Sequence, residues 1–339
     1  MKSKKNLNQP LLAELFRKIG KSLGIKVFVE KEWGVVGKLS YPNGIHRYFR
    51  GTTLDINTMG ASEISRDKDY SKIFMKRMKY PVIPGRKFYS NLWANQINSN
   101  QTIIKAWTYA QKSGLPVFIK PNSKSQGEAV TKVHTKKEFY QAFRTAAKID
   151  KVILVEQAIT GNDYRIVVLD DKIISAYERI PLHILSDGKS SIKQLIEKKL
   201  QEFKKKGREK TFKLDDPRIY ATLKRENLTY QLILPKGKYV KLLHNANLST
   251  GGTSIDVTDK VHLFYKEIAV RLTYEMGLRF CGVDFIIEGD ITMPSKKWYI
   301  IEINSAPGLD HYASIGRKQQ NIVEQLYKEV LIAMGKKAI

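Results

Sequence analysis

The stretch Phe280-Cys-Gly-Val-Asp-Phe-Ile-Ile-Glu288 is followed, after a polar loop, by Trp298-Tyr-Ile-Ile-Glu-Ile-Asn-Ser-Ala-Pro-Gly308. Both runs are rich in β-branched and aromatic residues, and the loop between them contains Gly289, Asp290 and Pro294. Apolar runs of this composition that are separated by turn residues are typical of paired strands. We therefore predict an antiparallel hairpin.

Each predicted strand carries polar residues where a buried strand would have none. Glu302 and Asn304 are two residues apart, so on a strand they project from the same face. If the hairpin pairs about the centre of its loop, Asp284 lies opposite Glu302 on that face. Converging carboxylates repel each other unless a cation lies between them, and oxygen ligands of this kind suit Mg²⁺. The alternative is a solvent-exposed sheet face that happens to carry charges.

Two segments further upstream have the features of a nucleotide site. Residues 115–127 predict a buried strand that ends in Lys120, followed by a loop of small polar residues closed by Gly127. A lysine beside such a loop is a plausible phosphate ligand, although the spacing of a Walker loop is absent. An ordinary strand and turn with a solvated lysine remains the alternative.

In residues 152–169, two predicted strands are separated by a break at Thr160-Gly161, and Glu156 and Asp163 flank that break. Backbone groups at such a break can bind an adenine edge, and a nearby carboxylate can bind a ribose.

The order of these parts resembles the ATP-grasp superfamily of carboxylate–amine ligases. It resembles more closely the ATP-grasp region of cyanophycin synthetases and of bifunctional glutathione-synthesising enzymes, over residues 65–309. The motifs that carry the resemblance are Gly161-Asn-Asp-Tyr-Arg165, Glu178-Arg-Ile-Pro-Leu-His183 with Asp187-Gly-Lys189, Asn245-Ala-Asn-Leu-Ser-Thr-Gly-Gly-Thr253 and Glu302-Ile-Asn-Ser-Ala-Pro-Gly308. The third of these motifs is the most specific, because its composition is unusual.

The resemblance implies a role for each matching residue. Asp284, Glu302 and Asn304 match ligands of two Mg²⁺ ions, for which Mn²⁺ could substitute, and Glu302 would bridge the ions. The residues implied near the transferred phosphoryl group are Arg165, Arg179, Asn247, Gly251 and Gly252. The residues implied to bind ATP are Lys68, Lys120, Ser123, Ser125, Gln126, Gly127, Glu156, Gln157, Ile159 and Asp163.

Two departures from the family pattern affect the expected substrate. Related sequences tend to carry an arginine just before the Asn-Leu-Ser-Thr-Gly-Gly segment, where this chain has Leu243-His244. Cyanophycin synthetases continue into a second ligase module of the Mur type, whereas this sequence ends at Ile339. We therefore do not expect cyanophycin synthesis.

The expected fold class is α+β, with an ATP-grasp fold in which two subdomains clasp ATP. We predict an N-terminal substrate-side segment over residues 1–64, a smaller ATP-covering subdomain over 65–158 and a larger subdomain with the metal site over 159–339. Amphipathic helices are predicted over residues 11–19 and 321–334, and another helix over 70–78. Strands are predicted over residues 26–30 and 35–41.

Composition limits the class of protein and its partners. The single cysteine, Cys281, excludes an internal disulfide and fits a reducing cytoplasm. No apolar run approaches the roughly 20 residues that span a membrane, so we expect a soluble cytoplasmic protein without a membrane partner. None of the six histidines has metal-ligand spacing; His183 and His311 are candidates for substrate contact.

The formal charge of +26 requires a separate interpretation. Residues 198–213 contain eight basic residues, Lys198, Lys199, Lys204, Lys205, Lys206, Arg208, Lys210 and Lys213. We expect this basic stripe to be a solvated surface, since no nucleic-acid-binding motif accompanies it. Attraction of an acidic substrate and binding of nucleic acid are the alternatives.

The predicted function is an ATP- and Mg²⁺-dependent ligase. It would join an amino-acid or peptide carboxylate to an amine through an acyl-phosphate and release ADP and phosphate. The alternatives are a catalytically silent nucleotide-binding ATP-grasp protein and a basic nucleic-acid-binding protein. We expect small amino-acid or peptide substrates and no nucleic acid, and we leave open whether the protein is a homodimer.

Overall fold

The computed structural model describes residues 11–124, 127–205, 212–314 and 316–336. The α-helices of these ranges are α1 (Leu11–Ser22), α2 (Met59–Arg66), α3 (Lys68–Arg77), α4 (Asn91–Gln96), α5 (Ile103–Ser113), α6 (Lys136–Ala147), α7 (Ile192–Lys205), α8 (Pro217–Arg225), α9 (Leu263–Glu275), α10 (Asp310–Ala313) and α11 (Arg317–Met334). The strands are β1 (Lys26–Val29), β2 (Val36–Ser40), β3 (His46–Arg50), β4 (Thr53–Leu54), β5 (Gly85–Tyr89), β6 (Val117–Pro121), β7 (Thr131–Val133), β8 (Val152–Gln157), β9 (Asn162–Leu169), β10 (Lys172–Ile180), β11 (His183–Leu185), β12 (Tyr239–Lys241), β13 (Thr253–Asp256), β14 (Phe280–Ile287) and β15 (Trp298–Asn304).

The N-terminal segment forms an antiparallel sheet in the order β1-β2-β3-β4. Helix α1 packs under this sheet, and its Phe16 ring contacts Phe49 of β3 and Tyr327 of α11 in edge-on geometry. The hydroxyl of Tyr41 donates to the carbonyl of Leu331 at 2.7 Å. The segment therefore shares one hydrophobic core with the C-terminal helix, and the predicted division at residue 64 remains a prediction.

A second antiparallel sheet has the order β5-β8-β6-β7. Helices α5 and α6 cover one face of it and bury Phe139, Phe143 and Val155 in a common core. The predicted buried strand is present as β6, and Lys120 stands near its end. The opposite face of this sheet lines the cavity that is described below.

The third sheet is antiparallel and has the order β13-β10-β9-β14-β15. Alternate residues of its central strands enter two different cores, as the period of two in a strand requires. Ile166 and Val283 pack with α9, whereas Val167 and Phe280 pack with the N-terminal segment and α11. The central strands are therefore covered on both faces, which explains their nearly continuous apolar sequence.

A small unit inserted after β10 has a core of its own. It comprises the pair β11-β12 with α7 and α8, packed around Ile196, Phe203 and Ile219. Part of the basic stripe lies on α7, and residues 206–211 of the stripe are outside the described ranges. Helices and antiparallel sheets together confirm the predicted α+β class. No helix within the described ranges is long and apolar enough to cross a membrane.

Candidate active site

The hairpin register places the predicted metal ligands side by side. Asp284 of β14 pairs with Glu302 of β15, and Gly282 pairs with Asn304, as pairing about the loop centre predicted. A register shift follows Asp284, so the strand is irregular beside this residue. On the other edge of β14, Asp284 pairs with Arg165 of β9. Polar residues from three adjacent strands thus meet on one face of the sheet.

Arginine side chains lie between the carboxylates of this face. Arg165 donates to both oxygens of Asp284, from Nε to Oδ1 and from Nη2 to Oδ2, each at 2.6 Å. Arg179 Nη2 lies 2.9 Å from Asp284 Oδ2 and 2.6 Å from Asp163 Oδ1. The pairing is required because Asp284 is fully buried, and an unpaired buried charge is very costly. Burial raises the pKa of Asp163 to about 6 against the opposing effect of Arg179, and the charge of Asp284 raises it further.

Glu302 is the more accessible carboxylate, with 22% of its side chain exposed. Burial acts to raise its pKa, but Lys68 and Arg165 outweigh this effect and hold the pKa below the ordinary range. Lys68 Nζ and Arg165 Nη2 each lie 3.7 Å from a Glu302 oxygen. The side-chain amide of Asn304 donates to Glu302 Oε1 at 3.0 Å, which leaves the Asn304 amide oxygen as an acceptor.

The donor set fits magnesium in its chemistry. Two carboxylates and an amide oxygen are hard ligands of the kind that Mg²⁺ prefers. Both oxygens of Asp284 already accept hydrogen bonds from arginine, so a metal ion at Asp284 would compete with Arg165 and Arg179. Among the residues that the structure describes, no three His, Cys, Asp or Glu side chains cluster in a way that would hold a metal ion.

Glu156 lies between two lysines on the facing sheet. Lys120 Nζ lies 2.7 Å from Glu156 Oε2, and Lys72 of α3 contacts Oε1 of the same carboxylate. Burial lowers the pKa of Lys72 to about 8 despite Glu156, and Lys120 adds to the lowering. Burial acts to raise the pKa of Glu156, but the two lysines outweigh it and lower that pKa. Lys72 was not among the predicted site residues, although it lies on α3 one helical turn after Lys68, where two side chains share a face of the helix.

Lys68 connects helix α3 to the predicted phosphate loop. Its Nζ donates to the carbonyl of Lys124 at 2.6 Å. Asn122 donates from Nδ2 to Asp67 Oδ2 at 2.7 Å, and Asp67 in turn caps α3. Ser123 donates through its hydroxyl to Asp150 at 2.7 Å. The start of the loop is therefore fixed to α3 and to the turn before β8, whereas Ser125 and Gln126 lie outside the described residues.

The end of the loop contacts the segment that carries Asn247. Gly127 has a φ of +73°, and a Cβ there would lie 2.5 Å from Asn245 Nδ2 and 3.1 Å from Asn247 Oδ1. Glycine is thus needed both for the backbone conformation and for the close approach. A Cβ at Gly252 would lie 2.9 Å from the carbonyl oxygens of Asn247 and Ile180. This second glycine lets the turn at 247–252 pack against β10.

The two sheets enclose a cavity of about 530 Å³. Its volume is in the range of small-molecule sites. Most of the predicted site residues line it: Lys68, Lys120, Gly127, Glu156, Gln157, Ile159, Asp163, Arg179, Asn247, Asp284 and Glu302. Ser123, Arg165, Asn304, Gly251 and Gly252 do not line it, although Arg165 and Asn304 contact the carboxylates that do.

The cavity lining includes three polar side chains that were not predicted as site residues. They are Lys132 of β7, Lys241 of β12 and His244. Burial lowers the pKa of His244 to about 4, and the nearby positive charges of Lys132 and Lys241 lower it further. His244 is therefore neutral at physiological pH. His183 stacks on Tyr239, 4.7 Å between ring centroids, and does not line the cavity.

A larger surface groove lies elsewhere, between α9 and α11. Its volume is about 1250 Å³, and its lining includes Val270, Tyr274 and Ile322. It contains none of the predicted site residues. The smaller cavity between the sheets is therefore the candidate active site.

Comparisons with known proteins agree with this architecture. Residues 74–202 match the family model described as the D-ala D-ala ligase C-terminus. The structure superimposes on a bifunctional glutathione synthetase from Pasteurella multocida with a TM-score of 0.58 and 26% identity, over 95% of this chain and 44% of that one. It matches a D-alanine–D-alanine ligase from Bacillus anthracis with a TM-score of 0.50 and 15% identity, over 82% of this chain and 68% of that one. The chain has the ATP-grasp fold, as the sequence predicted.

Its relatives in sequence are ATP-grasp ligases. The chain is 31% identical over 269 residues to a cyanophycin synthetase from Trichormus variabilis. The aligned region covers 78% of this chain and 28% of that protein. It is 33% identical over 240 residues to the glutathione biosynthesis bifunctional protein GshAB of Pasteurella multocida. This second aligned region covers 66% of this chain and 31% of that protein. The chain thus spans about a third or less of the length of these relatives, and the predicted resemblance is confirmed.

Proposed function

We propose that this chain is an ATP- and Mg²⁺-dependent ligase that joins a carboxylate to an amine. The observation that carries the proposal is the mixture of charges that lines one cavity. Lys68, Lys120, Asp284 and Glu302 all line it, and Lys68 Nζ lies 3.7 Å from a Glu302 oxygen. A triphosphate bound there would contact the lysines directly and the carboxylates through metal ions.

The cavity also offers a place for the base of a nucleotide. Phe118, Ile286 and Ile301 supply apolar surface, and the connection from Gln157 to Gly161 runs along the cavity beside them. Backbone groups of this connection would bind the adenine edge. Asp163 would accept a hydrogen bond from the ribose. In this arrangement Glu156 acts on the nucleotide indirectly, because it holds Lys72 and Lys120 in place.

Magnesium would be held by Asp284, Glu302 and Asn304, and when bound it would neutralise charge on the phosphates. Glu302 and Asn304 suit this role as they stand in the structure, because Glu302 stays ionised and Asn304 keeps an acceptor oxygen. Arg165 and Arg179 balance the charge of Asp284 in the structure. Beside a triphosphate, the same guanidinium groups would stabilise negative charge on the transferred group.

The chemistry follows from the poor reactivity of a carboxylate. An amine cannot displace oxide from it, so the carboxylate oxygen first attacks the γ-phosphorus of ATP and ADP departs. The amine then attacks the acyl carbon of the acyl-phosphate, loses a proton and expels phosphate, which leaves an amide. Positioning and charge neutralisation are sufficient for both steps. The one thiol takes no part, because burial raises the pKa of Cys281 to about 12.

An acyl-phosphate must be protected from water. The loop that begins at Asn122 contacts Lys68 at one end and the Asn245–Asn247 segment at the other. Lys124 and Gly127, at the described ends of this loop, both line the cavity. We assign the loop the role of a cover over the reacting groups.

The test is ADP release in the presence of Mg²⁺ with pooled amino acids and dipeptides. We expect release that depends on both the metal ion and particular amino acids. Glu302→Gln should reduce it by roughly 100-fold or more, since even indirect changes at a metal site cost about 10- to 100-fold, and the melting temperature should be unchanged. The matched control is Glu288→Gln in the same hairpin, where the exposed carboxylate pairs only with Lys297 at 3.1 Å among described residues. Normal turnover in the folded Glu302→Gln protein would remove the metal assignment.

A further inference from the structure

Lys72, Lys120 and Glu156 form a buried cluster beside the cavity. Their exposed fractions are 8%, 6% and 4%. Lys120 Nζ lies 2.7 Å from one oxygen of Glu156, and Lys72 contacts the other oxygen. Two cations therefore share one carboxylate, and the cluster carries one positive charge in excess. Because a buried charge without a counter-charge is costly, an anion from outside the cluster would stabilise it.

The two lysines differ in their access to the cavity. Lys120 and Glu156 line it, whereas Lys72 does not. Lys72 belongs to the buried side of α3, together with Ser71 and Met75, and it reaches the carboxylate from that helix. Only Lys120 is thus placed to contact a ligand of the cavity.

No neighbouring carboxylate supplies the missing charge. Within the described ranges, neither lysine of the cluster forms an ion pair with a carboxylate other than Glu156. Glu302, which also lines the cavity, is paired instead with Lys68 and Arg165, each 3.7 Å from one of its oxygens. Lys76, on the same helix, adds a further positive charge near the cluster. The excess charge is therefore available to an anion that enters the cavity.

The backbone around Glu156 fixes the position of its side chain. Glu156 pairs with Gly85 of β5 on one side and with Phe118 of β6 on the other. A Cβ at Gly85 would lie 2.6 Å from Glu156 Cγ, so the glycine leaves the space that the glutamate side chain occupies. Lys120 stands two residues after Phe118 and therefore on the same face of the sheet. Because lysine has a flexible four-carbon stem, it is Lys120 that can turn toward a ligand.

We propose that Lys72 is a positioning residue for nucleotide binding: it neutralises Glu156 from outside the cavity and so leaves the charge of Lys120 for a phosphate group. This inference rests on the proposed function, in which Lys120 binds ATP, and it adds a residue that acts through Glu156. Without Lys72, Lys120 would be the sole counter-charge of Glu156. A phosphate would then compete with a buried carboxylate for one ammonium group.

The test measures the affinity for a non-hydrolysable ATP analogue with Mg²⁺ by isothermal titration calorimetry. Lys72→Met should bind the analogue about tenfold or more weakly, since the phosphate loses the equivalent of one charged hydrogen bond. The variant should keep the melting temperature of the wild type, because Lys120 and Glu156 still form a balanced ion pair. Lys76→Met is the matched control: it removes the same charge from an exposed position one turn further along α3 and should leave the affinity nearly unchanged.

A second substitution separates positioning from a structural role. Glu156→Gln in the Lys72→Met background removes the carboxylate that would compete for Lys120, and it restores the net charge of the wild-type cluster. The double variant should bind the analogue about fivefold or more tightly than Lys72→Met, because substitutions of coupled neighbours are not additive. Lys72→Arg, which keeps the charge, should also bind more tightly than Lys72→Met, and it provides the comparison if the double variant does not fold.

Each outcome decides for or against the inference. Equal affinity in the wild type and Lys72→Met would overturn it. So would a Lys72→Met protein that unfolds, or one whose lost affinity neither Glu156→Gln nor Lys72→Arg recovers, because Lys72 would then only support the fold. A wild type that binds the analogue but releases no ADP with any amino acid would end the ligase proposal and leave this inference standing. A folded wild type that does not bind the analogue would overturn both.

Discussion

Glu156 is the shared counter-charge of two buried lysines beside the cavity. It is 4% exposed and is the carboxylate partner of both Lys72 and Lys120. Glu156→Gln would leave two buried ammonium groups without a counter-charge. Breaking a buried ion pair in this way typically costs about 3–5 kcal/mol, and we expect a loss of that size in the free energy of unfolding, measured by urea denaturation.

The control for this prediction is an ion pair at the surface. Glu138 lies 2.9 Å from Arg225, and about a third of each side chain is exposed. Glu138→Gln should cost at most about 1 kcal/mol. Equal, small losses in both variants would show that the buried lysines do not need Glu156.

His244 gives the molecule a dependence on pH. Its pKa falls from the ordinary 6.5 to about 4 in the folded chain, so between these values the unfolded state binds the proton and the folded state does not. Stability from this residue is therefore lost as pH falls from about 7 toward 4. Wild type should lose more unfolding free energy between pH 7 and pH 5 than His244→Gln does, measured by urea denaturation at each pH. The same loss in both proteins would contradict the burial of this imidazole.

Among the elements, the loop that ends at Gly127 contacts residues of the site at both of its described ends, through Lys124 and through Gly127. Gly127→Ala would add a methyl group 2.5 Å from Asn245 Nδ2 at a positive φ. We expect the loop to pack poorly against the Asn245–Asn247 segment. ADP release should be slower and proteolysis within the loop faster, while the melting temperature changes little. Gly44→Ala is the matched control, since Gly44 also has a positive φ of +82° but no neighbour within 4 Å of its added Cβ. Equal behaviour of the two variants would mean that only backbone strain matters at Gly127.

The elements differ in how far their sequence determines them. The pairing of Asp284 with Glu302 in the hairpin β14–β15 was predictable, because two apolar runs and one loop fix it, whereas the register shift after Asp284 was not. The pairing of β6 with β8 was not predictable, since those strands are separated by α6 and their contact depends on tertiary packing. The same limit applies to the site: nothing local to Asp284 indicates that Arg165, 119 residues earlier, supplies its counter-charge. Lys132 and Lys241 likewise reach the cavity only through the fold.

At the scale of the whole molecule, the charge of +26 was hard to interpret from composition alone. The basic stripe at residues 198–213 is recognisable in the sequence, because its lysines are clustered along the chain. Lys26, Lys38 and Arg50 of the N-terminal sheet form no such run, because they are separated along the chain and only strand pairing brings them together. The role of the stripe as a solvated surface remains a prediction.

We propose that the two sheets enclose a site in which ATP activates a carboxylate. An isotope experiment that follows the oxygen atoms of the acid substrate found by ADP release tests this mechanism. That substrate is labelled with ¹⁸O in its carboxylate, the reaction is run with ATP, Mg²⁺ and the amine, and the released phosphate is analysed by mass spectrometry. An acyl-phosphate intermediate predicts one ¹⁸O atom transferred to each phosphate and one retained in the amide. Unlabelled phosphate, formed together with ADP, would rule out the acyl-phosphate, because water and not the carboxylate would then have attacked ATP.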